Sequence, residues 1–220
     1  MTEQFSGADL ACFRGGRMVF AGLSFALDRG AAIQLRGPNG SGKSTLLRLM
    51  AGLLAPVQGR VSWHDGTIDD EPERHFQRLH YVGHHDAVKP VLTVRENVEF
   101  WAKLRGAGGD VAKALETLDI GHLSEVPGRF LSAGQKRRVN LARVLAAPAM
   151  LWLLDEPTTA LDVATVARFE DAIAAHRAAG GMVVASTHTD LALDGCRVLN
   201  LDEFQARDTD HTEAGNDGLS

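Results

Sequence analysis

Gly37-Pro38-Asn39-Gly40-Ser41-Gly42-Lys43-Ser44-Thr45 is the stretch on which the reading of this chain turns. The apolar run Ala32 to Arg36 before it predicts a strand, and the amphipathic residues after it predict a helix opening near Lys43. A glycine-rich turn between strand and helix can aim several backbone amides at one point without Cβ interference, and the helix adds its positive end. The pattern G-x-x-x-x-G-K-[ST] in that context is a phosphate-binding loop. Residues Gly37 to Thr45 would then enclose the phosphates of a nucleotide, Lys43 neutralising the outer ones and the Ser44 hydroxyl ligating a magnesium ion.

Outward from the loop, short apolar runs alternate with amphipathic stretches. Strands are expected at Gly22 to Leu27, Ala32 to Arg36, Val61 to His64, Met150 to Leu154, Met182 to Ser186 and Arg197 to Leu201. This order predicts an α/β core around a largely parallel sheet. The segment from about Asp86 to Ala147 differs, reading almost wholly helical. Thr93-Val94-Arg95-Glu96 is a capping box before a helix Val98 to Leu104, which Gly106 to Gly109 ends. A second helix is expected over Asp110 to Leu118, and a third opens at Ser132-Ala133-Gly134-Gln135 with the same capping spacing. One domain, residues 1–204, therefore carries an inserted helical lobe at about 86–147, and the polar, acidic tail 205–220 is expected to be disordered.

Leu151-Trp152-Leu153-Leu154-Asp155-Glu156 is an apolar strand ending in two adjacent carboxylates, for which a buried strand has no structural use. Ligands of parallel sheets sit beyond the carboxyl ends of strands, so Asp155 should face the same crevice as the phosphate loop. Asp155 suits a magnesium-organising role. Glu156, one residue later, suits a general base that orients a water in line with the γ-phosphate.

Composition bounds the partners. With 45% hydrophobic and 23% charged residues over 220 positions, the chain is neither disordered nor fibrous for most of its length. Its net charge of -5 is accounted for by the six acids and one base from Asp202 onward, which leaves a neutral body and no electrostatic case for nucleic acid as a main partner. The run Lys136-Arg137-Arg138 predicts a solvated helix face. Cys12 and Cys196, the two cysteines, cannot build a disulfide framework or a four-cysteine zinc site, and both are expected to be buried thiols. No secretory pattern opens the chain. Its longest apolar run, Val144 to Leu154, contains Pro148 and falls short of the roughly 20 residues that span a bilayer, so membrane contact is expected through a partner.

The phosphate loop, the Asp155-Glu156 strand and Leu131-Ser132-Ala133-Gly134-Gln135 together resemble the signature of the ATP-binding cassette (ABC) ATPases. The resemblance runs from about Leu10 to Leu201 and implies a RecA-like P-loop core with a small antiparallel β part and the inserted helical lobe. Pro157-Thr158-Thr159-Ala160-Leu161-Asp162 resembles the family's D-loop and Ser186-Thr187-His188 its histidine switch, implying catalytic parts for Asp162 and His188 beside Glu156. The resemblance also implies that Ser132, Gly134 and Gln135 cover the γ-phosphate of an ATP held by a second subunit, in a head-to-tail homodimer that sandwiches two ATP. In Tyr81-Val82-Gly83-His84-His85, His84 aligns with the family's magnesium-contacting glutamine. Ala133 stands where the first signature glycine is usual, and Arg14 where an adenine-stacking aromatic is usual, with Phe13 the nearest aromatic.

Gly83-His84, Cys12 before Arg14, and Arg129-Phe130 through Leu141-Ala142-Arg143 are similar to one subfamily, the ATP-binding subunits of cytochrome c maturation haem exporters. That resemblance implies an ATPase peripheral to the cytoplasmic face of the inner membrane, docked on separate polytopic subunits. It would power haem export or release of a haem-loaded chaperone. The alternative is a cassette subunit for another substrate, such as a lipid, drug or small solute, with the same ATP chemistry.

Overall fold

The computed structural model describes residues 3–106, 109–187, 191 and 193–205. In chain order the elements are β1 (Gln4–Arg14), β2 (Arg17–Asp28), β3 (Ala32–Arg36), α1 (Lys43–Met50), β4 (Gln58–Trp63), β5 (Gly66–Thr67), α2 (Pro72–Arg78), β6 (Leu79–Val82), α3 (Val94–Leu104), α4 (Val111–Thr117), α5 (Ala133–Leu145), β7 (Leu151–Asp155), α6 (Val163–Ala178), β8 (Met182–Ser186) and β9 (Arg197–Asn200). Two sheets result. One is parallel, in the order β6-β7-β8-β3-β9; the other, β2-β1-β4-β5, is antiparallel.

The central parallel strands β7 and β8 are apolar up to their carboxyl-terminal residues, Asp155 and Ser186, because both their faces are covered. Along β7, Leu151 and Leu153 enter one core while Trp152 and Leu154 enter the other; along β8, Met182 and Val184 alternate with Val183 and Ala185 in the same way. The first core is closed by α1 and the antiparallel sheet, through Leu46, Leu49, Phe5 and Leu23. The second is closed by α3, α5 and α6, through Val98, Leu141 and Phe169. Full burial of such a side chain stabilises by about 1.5–3 kcal/mol, so the two-faced sheet, rather than any motif, holds the fold.

Several expectations are corrected. β1 and β6 lie outside the expected strands. β1 is broken by register shifts near Gly7 and Leu10, with Asp9 at φ 50, which hides its alternation, and β6 is four residues long and follows α2 without a gap. Gly22 does not open a strand; at φ 70 it lies inside β2, which begins at Arg17. The lobe is not helical from Asp86. Its first helix begins at Val94, directly after the Thr93 cap, and the loop before it is clamped by Asn97, whose side chain accepts from the Lys89 amide at 2.7 Å and donates to the carbonyls of Lys89, Leu92 and Thr93 at 3.1, 3.1 and 2.9 Å. Cys12 is buried, which pushes its thiol pKa up, but Cys196 is only partly buried. Of the expected tail only Gln205 lies within the described residues. No helix among the described residues is long and apolar enough to cross a membrane.

Candidate nucleotide site

Ser186, at the end of β8, is level with Leu35 of β3 on one side and with Asp155 of β7 on the other. The start of the phosphate loop and the Asp155 carboxylate are thus two strand spacings apart, about 10 Å. Both open into one cleft of about 630 Å³, lined among others by Asn39, Gly40, Gly42, Lys43, Ser44, Thr45, His84, Asp155, Glu156 and Thr159.

The loop is built to receive an anion. Gly42, the N-cap of α1, has φ 103, and a Cβ there would come within 2.7 Å of Val19, so only glycine lets the helix start at this point. α1 has no side-chain cap, a feature it shares with α2, and opening at the end of the glycine-rich loop it leaves its first amides for a ligand. The Ser41 hydroxyl is buried and has no hydrogen-bond partner among the described residues. Lys43 is buried, its Nζ donating to the carbonyls of Gly37 at 2.6 Å and Pro38 at 3.0 Å, so those two residues hold the lysine rather than line the cleft.

Asp155 is 1% exposed. Its Oδ1 accepts from Ser186 Oγ at 2.7 Å, while Oδ2 is buried with no hydrogen-bond partner among the described residues. An uncompensated buried carboxylate oxygen is costly unless something positive meets it, and with the nearby Ser44 hydroxyl it supplies the hard oxygen donors that magnesium prefers. No group of three or more His, Cys, Asp or Glu side chains that could hold a metal converges among the described residues. Glu156 sits at φ 49, an uncommon conformation for a non-glycine residue, with its amide donating to Ser186 O and Oγ, each at 3.1 Å. Arg14 and Arg17 also line the cleft, whereas Phe13 is 54% exposed and does not.

The signature residues form a second, separate surface. Ser132 Oγ accepts from the Gln135 amide at 3.2 Å and Gln135 Oε1 accepts from the Ser132 amide at 2.8 Å, a complete capping box at the start of α5. A Cβ on Gly134 would meet the Ala160 carbonyl at 2.7 Å, so the helix start packs directly on the 160–162 turn. Ser132, Gly134, Gln135 and Asp162 line one open depression that shares no residue with the phosphate-loop cleft. Asp162 caps α6, its Oδ1 accepting from the Thr165 amide at 2.9 Å, and pairs with Arg138. Hydrogen bonds from Thr165 hold its carboxyl below the usual range. His188 lies outside the described residues.

Two features escaped the sequence. Ser186 holds both Asp155 and Glu156, a role that depends on strand register. Arg137 is buried, 4% exposed, rather than on a solvated face. Helical spacing could have revealed it, because Arg137 shares a face of α5 with buried Asn140, Leu141 and Val144.

The ABC transporter family model matches residues 20–159. The chain is similar to the cytochrome c biogenesis ATP-binding export protein CcmA of Rhodospirillum rubrum, at 62% identity over 91% of this chain and 86% of that one. It is also similar to the protein of the same name from Paramagnetospirillum magneticum, at 58% identity over 91% and 94%. Among solved structures, the ATP binding subunit of an ABC transporter superposes with TM-score 0.77 at 24% identity, covering 84% of this chain and 79% of that one. A bacterial Atm1-family ABC exporter with ATP bound does so with TM-score 0.80 at 24% identity, covering 92% and 37%, which speaks to the fold alone.

Proposed function

The chain belongs to the ABC transporter family, and from that premise we propose that it hydrolyses ATP to drive a membrane complex of cytochrome c biogenesis, exporting haem or releasing a haem-loaded chaperone. The carrying observation is the cleft in which the uncapped start of α1 and Lys43 meet Asp155, whose buried oxygen lacks a partner, and Glu156. Identity of 62% and 58% to export proteins named for cytochrome c biogenesis supports the choice of complex.

In this reading the amides of Asn39, Gly40 and Gly42 to Thr45 and the Lys43 ammonium hold the phosphates of ATP, and Arg14 lies against the base. Ser44 and Asp155 would hold magnesium, which would withdraw charge from the phosphate oxygens. His84 lines the same cleft, where its imidazole would face the magnesium ion, although a ring nitrogen suits that ion less than oxygen does. Glu156 accepts the proton of the attacking water as the bond to the β-phosphate bridging oxygen breaks.

Ser132, Gly134 and Gln135 act on the ATP of a second copy, since they line a surface apart from this chain's own cleft, with Asp162 beside them; the family resemblance would give His188, outside the described residues, a part at the γ-phosphate. A groove of about 570 Å³ between core and lobe, lined by Leu53, Phe76, Trp101 and Leu104, receives the polytopic subunit at the cytoplasmic face of the inner membrane. His84 lines both groove and cleft, which gives the partner a route to the nucleotide.

Purification from host membranes in mild detergent, with mass spectrometry and an ATPase assay, tests the reading. A polytopic partner and haem-maturation proteins should accompany the chain, and Glu156→Gln should retain ATP binding while losing on the order of 10² to 10⁴ in turnover. An unrelated permease would replace the substrate. Unaltered turnover in the variant would remove Glu156 as the base.

A further inference from the structure

Arg137 has five N–H groups and the structure gives each an acceptor. Nε donates to Pro157 O at 3.1 Å; one terminal nitrogen donates to Gly83 O at 3.0 Å and Asp86 Oδ1 at 3.2 Å; the other donates to Asp155 O at 2.7 Å and Glu156 O at 2.5 Å. Three consecutive carbonyls, those of the candidate magnesium ligand, the candidate base and the next residue, thus end on one buried guanidinium carried by the signature helix. The fourth carbonyl, Gly83, immediately precedes His84. A fully satisfied planar fork of this kind fixes geometry in a way a lysine ammonium, with three donors on a flexible stem, does not.

What that fork holds is strained. Glu156 has φ 49, a conformation that side-chain-bearing residues seldom adopt and that persists only where surroundings over-determine it. Its amide is held by Ser186 and its carbonyl by Arg137, so the carboxylate's direction into the cleft is set from both ends of the residue. Asp86, which also accepts from Asn140 at 3.1 Å, balances the arginine's charge from the His84 side.

We propose that Arg137 is a positioning residue for hydrolysis, locking Glu156 in its catalytic orientation and tying it to the Gly83–Asp86 segment, so that displacement of that segment is felt at the base. The inference rests on the ATPase reading, because the residues it positions are that reading's base and magnesium ligand. A displacement of about 1 Å at a reacting group costs on the order of 10² in rate, so loss of the fork acts on turnover and leaves the phosphate loop untouched.

The test compares wild type, Arg137→Lys, Glu156→Gln and the double variant in the membrane complex, by steady-state and single-turnover hydrolysis. Arg137→Lys should lower kcat about 10- to 100-fold with KM for ATP within about twofold of wild type. Added to Glu156→Gln it should cost almost nothing further, because its effect passes through the carboxylate already removed. A purely structural arginine would instead lower the melting temperature and shift kcat and KM together, or add its loss in full to that of Glu156→Gln; either result overturns the proposal. If Arg137→Lys does not fold, Asp86→Asn, which removes one of the five acceptors' charge, replaces it with the same kcat-specific, non-additive loss expected. Normal kcat in the arginine variant beside an inactive Glu156→Gln refutes this inference alone, an active Glu156→Gln removes Glu156 as the base and this inference with it, and a wild-type complex that does not hydrolyse ATP refutes the ATPase reading.

Discussion

Lys43 donates to the carbonyls of Gly37 and Pro38, so the phosphate loop is closed on its own lysine by two charge-assisted hydrogen bonds. Lys43→Ala therefore loses both the charge that meets the outer phosphates and the bonds that shape the loop. ATP affinity should fall at least about tenfold, the equivalent of one such bond, when measured by titration calorimetry. Wild-type affinity would remove the lysine from ground-state binding. At this scale a residue is legible when its role is written in its neighbours. Lys43 sits among glycines, and Asp155 with Glu156 ends an apolar run. Arg137 sits in a basic run that composition assigns to solvent, and only the packing of α5 against the end of β7 shows five acceptors converging on it.

Among elements, the helices of the lobe were read from local chemistry: the capping boxes at Thr93 and Ser132 are both present, each within four residues of sequence. β6 was not, because its strand character comes from pairing with β7 rather than from its own pattern. Burial there has a consequence for pH. His80 in β6 donates its Nε2–H to the Ala147 carbonyl at 2.9 Å, and desolvation pushes its pKa down to about 3; His75, within α2, is pushed down to about 4 by the same cause. The unfolded chain, with histidines near 6.5, binds more protons than the folded one between those values, so stability rises with pH across the window. It should be complete above about 6.5 and decline as pH falls toward 3, by at most about 1.4 kcal/mol per pH unit for each histidine. Urea unfolding of wild type and His80→Gln between pH 7 and 4 measures this. The variant should show the shallower slope, and an identical slope would show that His80 is not the titrating group.

For the whole molecule, the decisive feature is separation. The phosphate-loop cleft and the Ser132–Asp162 depression share no lining residue, so a single chain does not bring the two halves of the inferred ATP site together. In the proposed head-to-tail dimer a second copy would do so twice, with ATP as part of the contact. The Glu156→Gln chain, which retains ATP, should therefore scatter light as a dimer with magnesium and ATP and as a monomer with ADP. A monomer under saturating ATP would refute the sandwich. Dissociation on hydrolysis is then a population shift set by contacts to the γ-phosphate.

By itself the sequence determined the nucleotide chemistry, the α/β class and the inserted lobe, because each is carried by local patterns: a glycine spacing, an apolar run with two acids, a cap. Tertiary structure alone decided that Ser186 serves both Asp155 and Glu156, that the antiparallel sheet begins at Gln4, and that the acceptors around Arg137 converge on it. The physical reason is the same in each case. Strand register and burial arise from contacts between residues far apart in the chain, as Ser186 and Asp155 are, and no local pattern of side chains encodes which distant partner will satisfy a given donor.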